Sequence, residues 1–302
     1  GETLAEVTTL RRDVETDGRH AVVAFGTDWV KDARRRDFTL NALYCAADGT
    51  LYDPLGGAED ARNGRVRFIG DAHQRIAEDG LRVYRFFRLS ASHGREQFDP
   101  SGLAACAAAA GNLDHLSRER VGGEMVRMLA LPKVARTLAA MSKIALLSLP
   151  EAVLPVLAAY EKLGGHAVET RLALLAGGDV EALQSAWRLS NDVTAKARAV
   201  LRAAELMADD RIGEAAYRHQ ELAVEGLALA AAQQDWGSER LAEAARMLAG
   251  SVIPAFPLNG HDLTSRGIAP GPGLGRELAR LEQVWIESGF TLQKDDLLAL
   301  LR

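Results

Sequence analysis

The sequence predicts an α+β fold in which a small β-containing region opens the chain and an all-α remainder follows. Three observations carry this. Short β-prone runs are confined to residues 1–71. From about Ala72 onward Ala, Leu, Arg and Glu dominate, and apolar positions recur at helical spacing. Glycine and proline pairs then divide the helical part into segments. At 302 residues and 48% hydrophobic, the chain is long enough for two or more domains.

In chain order, Thr8–Leu10 and His20–Phe25 read as short strands separated by polar, turn-like residues. Thr39–Ala46 and Thr50–Tyr52 read as a hairpin turning at Asp48-Gly49, and Val66–Ile69 is one more short apolar run. Helices follow from Ala72. Ser117 before Arg118-Glu119-Arg120 predicts a helix start with Ser117 as N-cap. Turns are expected at Gly164-Gly165 and Gly177-Gly178. A second punctuation comes at Pro254, Pro257 and Pro270–Gly275. Arg276–Ser288 then reads as a helix ending near Gly289, and Asp295–Leu301 as a short last one.

The net charge of −5 excludes a strongly basic nucleic-acid footprint over the whole molecule, though a local basic stripe can sit on an acidic protein. Cys45 and Cys106 have no partner spacing, which argues against a disulfide framework or a cysteine zinc site and suits a reducing cytoplasm. No run is long and apolar enough to span a membrane.

Three segments carry chemistry. Arg34-Arg35-Arg36-Asp37-Phe38-Thr39-Leu40-Asn41-Ala42-Leu43 sets guanidinium groups, which match phosphate oxygens in bidentate geometry, ahead of an acid and a β-prone run. Asp53-Pro54-Leu55-Gly56-Gly57-Ala58-Glu59-Asp60 allows a tight turn and the close approach of another backbone. In Glu78-Asp79-Gly80-Leu81-Arg82-Val83-Tyr84-Arg85-Phe86-Phe87-Arg88, helical spacing places Asp79, Arg82, Arg85 and Arg88 on one half of a helix, with Ile76, Val83 and Phe87 on the other. The plain reading of that spacing is an i,i+3 ion pair on an amphipathic helix. The sharper reading is base recognition. A carboxylate only accepts hydrogen bonds and a guanidinium only donates them, so the pair complements a base that presents an amino group beside a ring-nitrogen acceptor.

RRDFTLNAL, DPLGG and EDGLRVYRFFR, in this order and spacing, resemble successive motifs of class II tRNA nucleotidyltransferases and their bacterial poly(A) polymerase relatives. Leu116–Arg120 with Glu124 resembles the next motif of that family, and Thr8–Arg11 with Asp13 the segment leading into RRDFT. Residues 257–263 and 270–275 resemble its tail region. The resemblance implies the C-terminal part of a polymerase-β-like nucleotidyltransferase head over 1–71, with a small β-sheet. It implies a helical neck bearing the base-recognition motif over 72–130, a helical body over 131–250 and a helical, RNA-contacting tail over 251–302. The implied substrates are CTP and ATP, the implied partner the 3′ end of a tRNA or other RNA, and the implied cofactor Mg2+. By resemblance, Arg36 contacts the nucleotide or its phosphates, Asp79 and Arg82 pair with the base, and Arg85 and Arg88 reach the nucleotide and its triphosphate. Asp37, Asn41 and Glu78 support that pocket, and Arg118 and Arg120 hold neck to head by ion pairs.

The sequence departs from the family pattern in one respect. The family's glycine-rich motif, Arg-Asp pair and Asp-x-Asp precede everything seen here, and the Asp-x-Asp binds the magnesium ions. No such segment precedes RRDFT, so the expectation is a fragment whose metal-binding aspartates lie upstream, with no catalytic or metal-ligating residue assigned within it. These motifs are shared by enzymes that add CCA, CC, A or a poly(A) tail, and the choice among them stays open. A non-catalytic nucleotide- and RNA-binding module is the second reading. An HD-type phosphohydrolase built on His261-Asp262 is a distant third, and a helix start at Asp262 is the preferred account of that dipeptide. Trp29, Trp187, Trp236 and Trp285 are expected in core or interdomain packing.

Overall fold

The computed structural model describes residues 10–16, 21–25, 27–252 and 254–301. Of the expected first strands, Thr8, Thr9 and His20 lie outside the described residues. The rest appears as an antiparallel pair, β1 (Arg11–Thr16) and β2 (Ala21–Phe25), with a bulge between Asp13 and Glu15. Helix α1 (Trp29–Arg35) follows, capped by Asp28, whose carboxylate accepts the Lys31 amide at 3.0 Å.

The predicted strand over Thr39–Ala46 forms only in part. Thr39–Asn41 is a single 3-10 turn, and the strand β3 is reduced to Tyr44–Cys45, paired with β4 (Leu51–Tyr52). The reason is local. The Asp37 carboxylate accepts both the Phe38 amide at 2.9 Å and the Asn41 side-chain amide at 2.8 Å, which curls the chain. The hairpin turn at Asp48-Gly49 is present, with Gly49 at φ 85° and Asp48 accepting the Thr50 amide.

The DPLGG segment starts α2 (Gly57–Arg62). Asp53 accepts the Gly57 and Ala58 amides at 2.8 and 3.0 Å, Gly56 is left-handed at φ 72°, and a Cβ on Gly57 would stand 2.0 Å from the Thr39 carbonyl oxygen. Both glycines are therefore required: one turns the chain, the other lets α2 pass against the 3-10 turn. Helices α3 (Ala72–Glu78), α4 (Leu81–Ser92), α5 (Pro100–Ala109) and α6 (Arg118–Leu129) follow. Ser117 caps α6 as expected, accepting the Arg120 amide at 3.3 Å. Here one expectation needs correction. Asp79 is not on the same helix as Arg82. It closes α3 with extended φ and ψ, and α4 begins only at Leu81, whose amide the Asp79 carboxylate accepts at 3.1 Å.

Phe38, Phe68, Phe86, Phe87 and Phe98 interlock around this motif region, with Phe68 and Phe86 stacked at 5.6 Å. Further helices are α7 (Ala135–Lys143), α8 (Val153–Lys162), α9 (Val168–Ala176), α10 (Val180–Trp187) and α11 (Asn191–Ala208). The expected glycine turns follow α8 and α9, with Gly164 at φ 87° and Gly177 at φ 57°. The chain forms two compact units, 1–194 and 195–302, so the division falls within α11.

The second unit continues with α12 (Ile212–His219), α13 (Leu222–Gln233), α14 (Ser238–Gly250), α15 (Gly260–Thr264), α16 (Pro272–Glu287) and α17 (Lys294–Leu298). Trp285 is the centre of its core cluster, with Leu258, Leu263, Leu281 and Leu297. Trp187 is also buried, but Trp29 is 47% exposed and Trp236 lies under the Arg240 guanidinium at 4.0 Å, so the tryptophans do not share one role. His261-Asp262 belongs to a capping box: Asp262 accepts the Asn259 amide at 2.9 Å and pairs with Lys294. Among the described residues no helix is long and apolar enough to cross a membrane.

Candidate nucleotide site

The first and third motifs meet in an open cleft of about 490 Å3, lined by Arg35, Arg36, Asp37, Asn41, Asp79, Arg82 and Arg85. Four arginines stand against two aspartates, so the lining suits a polyanion. The side chains come from the end of α1, the 3-10 turn after it, the break between α3 and α4, and the first turns of α4.

Behind the α1 end lies Asp32, which is 1% exposed. Its carboxylate accepts Arg35 Nε at 2.9 Å, Arg36 Nε and Nη2 at 3.1 and 3.0 Å, and the Tyr44 hydroxyl at 2.8 Å. Burial alone would push this carboxyl up. The hydrogen bonds from Arg35, Tyr44 and Arg36 outweigh it and hold the carboxyl down at about 2. Burial and the bond to Asp32 push Tyr44 up to about 12. Arg36 also donates from Nη1 to the Asn41 carbonyl at 2.9 Å, and its guanidinium lies over the Tyr44 ring.

Asp37 forms the floor. Besides the Phe38 and Asn41 groups, it accepts Arg85 Nε at 2.6 Å. Burial would raise its carboxyl, but the Arg85 charge and the hydrogen bonds from Asn41, Arg85 and Phe38 hold it below the ordinary carboxylate range. Arg85 Nη1 also stands 3.6 Å from Glu124, a carboxylate 2% exposed on α6. Arg88 donates to the same Glu124 at 2.6 Å, and Arg127 does so at 3.1 Å.

On the opposite side, Asp79 Oδ2 accepts Arg120 at 2.8 Å. Arg82 pairs not with Asp79 but with Glu78, at 2.7 Å, and donates to the Arg75 carbonyl at 2.6 Å, both through Nη1. Among the described residues, its Nε and Nη2 meet no protein acceptor. The cleft thus offers carboxylate lone pairs and guanidinium donors on the same wall.

Of the residues expected at the site, Arg36, Asp37, Asn41, Asp79, Arg82 and Arg85 line the cleft. Glu78 stands behind Arg82. Arg88 is not among the lining residues, because buried Glu124 draws it toward α6. Arg35 lines the cleft although sequence reasoning singled out only its neighbour; the triple-arginine run was the available signal. Arg120, expected to tie neck to head, instead meets Asp79 within the 72–130 segment. Asp32 had a local signal in its i,i+3 and i,i+4 spacing to Arg35 and Arg36, whereas the Arg75 bonds to the end of α1 join residues of separate elements.

Residues 1–67 match the family described as "Poly A polymerase head domain", and residues 97–160 the one described as "Probable RNA and SrmB- binding site of polymerase A". The chain is 33% identical to the mitochondrial CCA tRNA nucleotidyltransferase 1 of Homo sapiens, over 98% of this chain and 72% of that protein. It belongs to the CCA tRNA nucleotidyltransferase family. The CCA-adding enzyme of Lacticaseibacillus paracasei is 30% identical over 92% of this chain and 73% of its own length. The Bacillus stearothermophilus CCA-adding enzyme, solved in complex with CTP, superposes with a TM-score of 0.72 at 28% identity, over 93% of this chain and 74% of that one. The family thus joins the α+β head segment and the helical remainder in one architecture, as the sequence predicted.

Proposed function

We propose that the chain forms the nucleotide-selecting and RNA-contacting part of an enzyme that adds CMP and AMP, from CTP and ATP, to the 3′ end of tRNA without a nucleic-acid template. The observation that carries this is the cleft in which arginines of RRDFT stand together with Asp79 and Arg82. Cytosine and adenine both present an amino donor beside a ring-nitrogen acceptor, and guanine and uracil present the reverse. A mismatched base would strand buried polar groups at about 1–3 kcal/mol each. Asp79 would accept the amino group, Arg82 would donate to the ring nitrogen, and Arg35, Arg36 and Arg85 would face the phosphates. Arg88 would act through Glu124 rather than by touching the nucleotide.

The names of the relatives, and the CTP bound by the Bacillus stearothermophilus enzyme, support this substrate class. Among the described residues no group of three or more His, Cys, Asp or Glu is placed to hold a metal ion. A head to residue 71, neck to 130, body to 250 and tail to 302 is the proposed division, in which the body crosses the boundary at 194/195 between the two compact units. The two free cysteines support a reducing compartment, the cytoplasm.

Equilibrium binding of the four ribonucleoside triphosphates is the test. CTP and ATP should bind, and GTP and UTP at least tenfold more weakly, roughly the cost of one stranded polar group. Equal binding of all four, or of none, would overturn the proposal.

A further inference from the structure

Arg75 is absent from the cleft lining, yet it touches both halves of the cleft's frame. It sits in the last turn of α3 with its side chain 12% exposed. Its Nη2 donates to the Arg35 carbonyl at 2.7 Å and also to the Arg36 carbonyl. Those carbonyls end α1, where no helical N–H remains to meet them and the helix dipole is negative. Its Nη1 donates to Glu78, whose same oxygen accepts Arg82 Nη1 at 2.7 Å, and Arg82 Nη1 in turn reaches the Arg75 carbonyl. One guanidinium therefore joins the turn that projects Arg35, Arg36 and Asp37 to the turn that aims Arg82.

We infer that Arg75 is a positioning residue that sets the separation and orientation of the phosphate-facing and base-facing walls of this cleft. A planar fork with donors on two edges can serve two backbone carbonyls and a carboxylate at once, whereas a lysine ammonium is a single point charge. Without the Arg75 guanidinium, Arg82 keeps its bonds to Glu78 and to the residue 75 backbone carbonyl, but Glu78 loses the second cation that fixes the carboxylate on which Arg82 rests, and the α1 end loses a side-chain donor to two carbonyls. The geometric part of this inference stands on its contacts alone; its consequence for nucleotide choice rests on the function proposed above.

The experiment compares the parent chain with Arg75→Met, which keeps an unbranched apolar stem but removes every side-chain donor, and with Arg75→Lys. Hydrogen exchange over residues 35–41 and 78–85 is read beside CTP, ATP and UTP binding and the melting temperature. In Arg75→Met, exchange should rise in both segments together and stay unchanged in α12 to α17. CTP and ATP affinity should fall roughly tenfold, as expected for a displaced binding group, and the preference for CTP over UTP should shrink. Arg75→Lys should fall between, and it carries the comparison if the methionine variant does not fold. A lower melting temperature with unchanged exchange over 35–41 and unchanged CTP-to-UTP preference would overturn the inference. Should the parent bind no CTP, the proposed function fails and the exchange result alone decides the role of Arg75.

Discussion

Replacing Asp32 by Asn should destabilise the first unit more than its place outside the cleft suggests. In the parent, one carboxylate at 1% exposure satisfies Arg35, Arg36 and the Tyr44 hydroxyl. An asparagine is uncharged, and its amide nitrogen would face guanidinium donors. Breaking a fully buried ion pair costs about 3–5 kcal/mol. Arg35 and Arg36 are 22% and 36% exposed and can recover some hydration, so the cost falls to the bottom of that range or just below it, about 2–3 kcal/mol. The depressed carboxyl agrees in size: held at about 2 instead of 3.8, it corresponds to about 2 kcal/mol. For a unit of this size the melting temperature should fall by roughly 4–12 °C. The sign with pH follows from a depressed folded-state pKa. The Asp32 contribution is complete above about pH 4 and is lost as pH falls toward about 2. Thermal and denaturant unfolding of parent and Asp32→Asn at steps from pH 7 to 2 therefore gives two curves that converge on acidification. A difference under about 0.5 kcal/mol at pH 7, or one that does not narrow below pH 4, would refute the reasoning.

Other outcomes follow from the same geometry. Arg82→Ala should weaken CTP and ATP binding together, by roughly tenfold or more, while GTP stays weak; unchanged affinities by equilibrium dialysis would remove Arg82 from the base-reading role. Gly57→Ala puts a methyl 2.0 Å from the Thr39 carbonyl oxygen and should cost about 1–3 kcal/mol in denaturant unfolding, whereas a stable variant would mean that α2 can shift. Glu124→Gln should cost about 2–3 kcal/mol and increase exchange in both α4 and α6, because Arg85, Arg88 and Arg127 lose a shared buried anion; an effect confined to α6 would show that Arg85 and Arg88 do not depend on it.

The sequence by itself determined the α+β class, the helical run after residue 72, the Ser117 cap, the glycine turns and the order of three motifs. Each of these rests on short-range physics: apolar periodicity, capping chemistry or the left-handed freedom of glycine. It also selected most of the cleft's lining, because the charged residues there lie inside contiguous strings. Tertiary structure decided how those strings meet. Helical spacing placed Asp79 beside Arg82 on one helix, but Asp79 is extended and its carboxylate accepts the Leu81 amide, so the helix breaks between them. Arg82 consequently pairs with Glu78, and Asp79 is met by Arg120 from α6. Arg88 looked like the next member of the arginine series, yet a buried Glu124 36 residues away draws it out of the lining. Arg75 was an ordinary charge in a helical segment until the fold set two foreign carbonyls on it, and Asp32, already spaced i,i+3 and i,i+4 from Arg35 and Arg36, gained the Tyr44 hydroxyl only in the folded chain. Partner choice among buried charges is set by which elements the hydrophobic core brings within hydrogen-bond reach, and that separation in sequence carries no local signal.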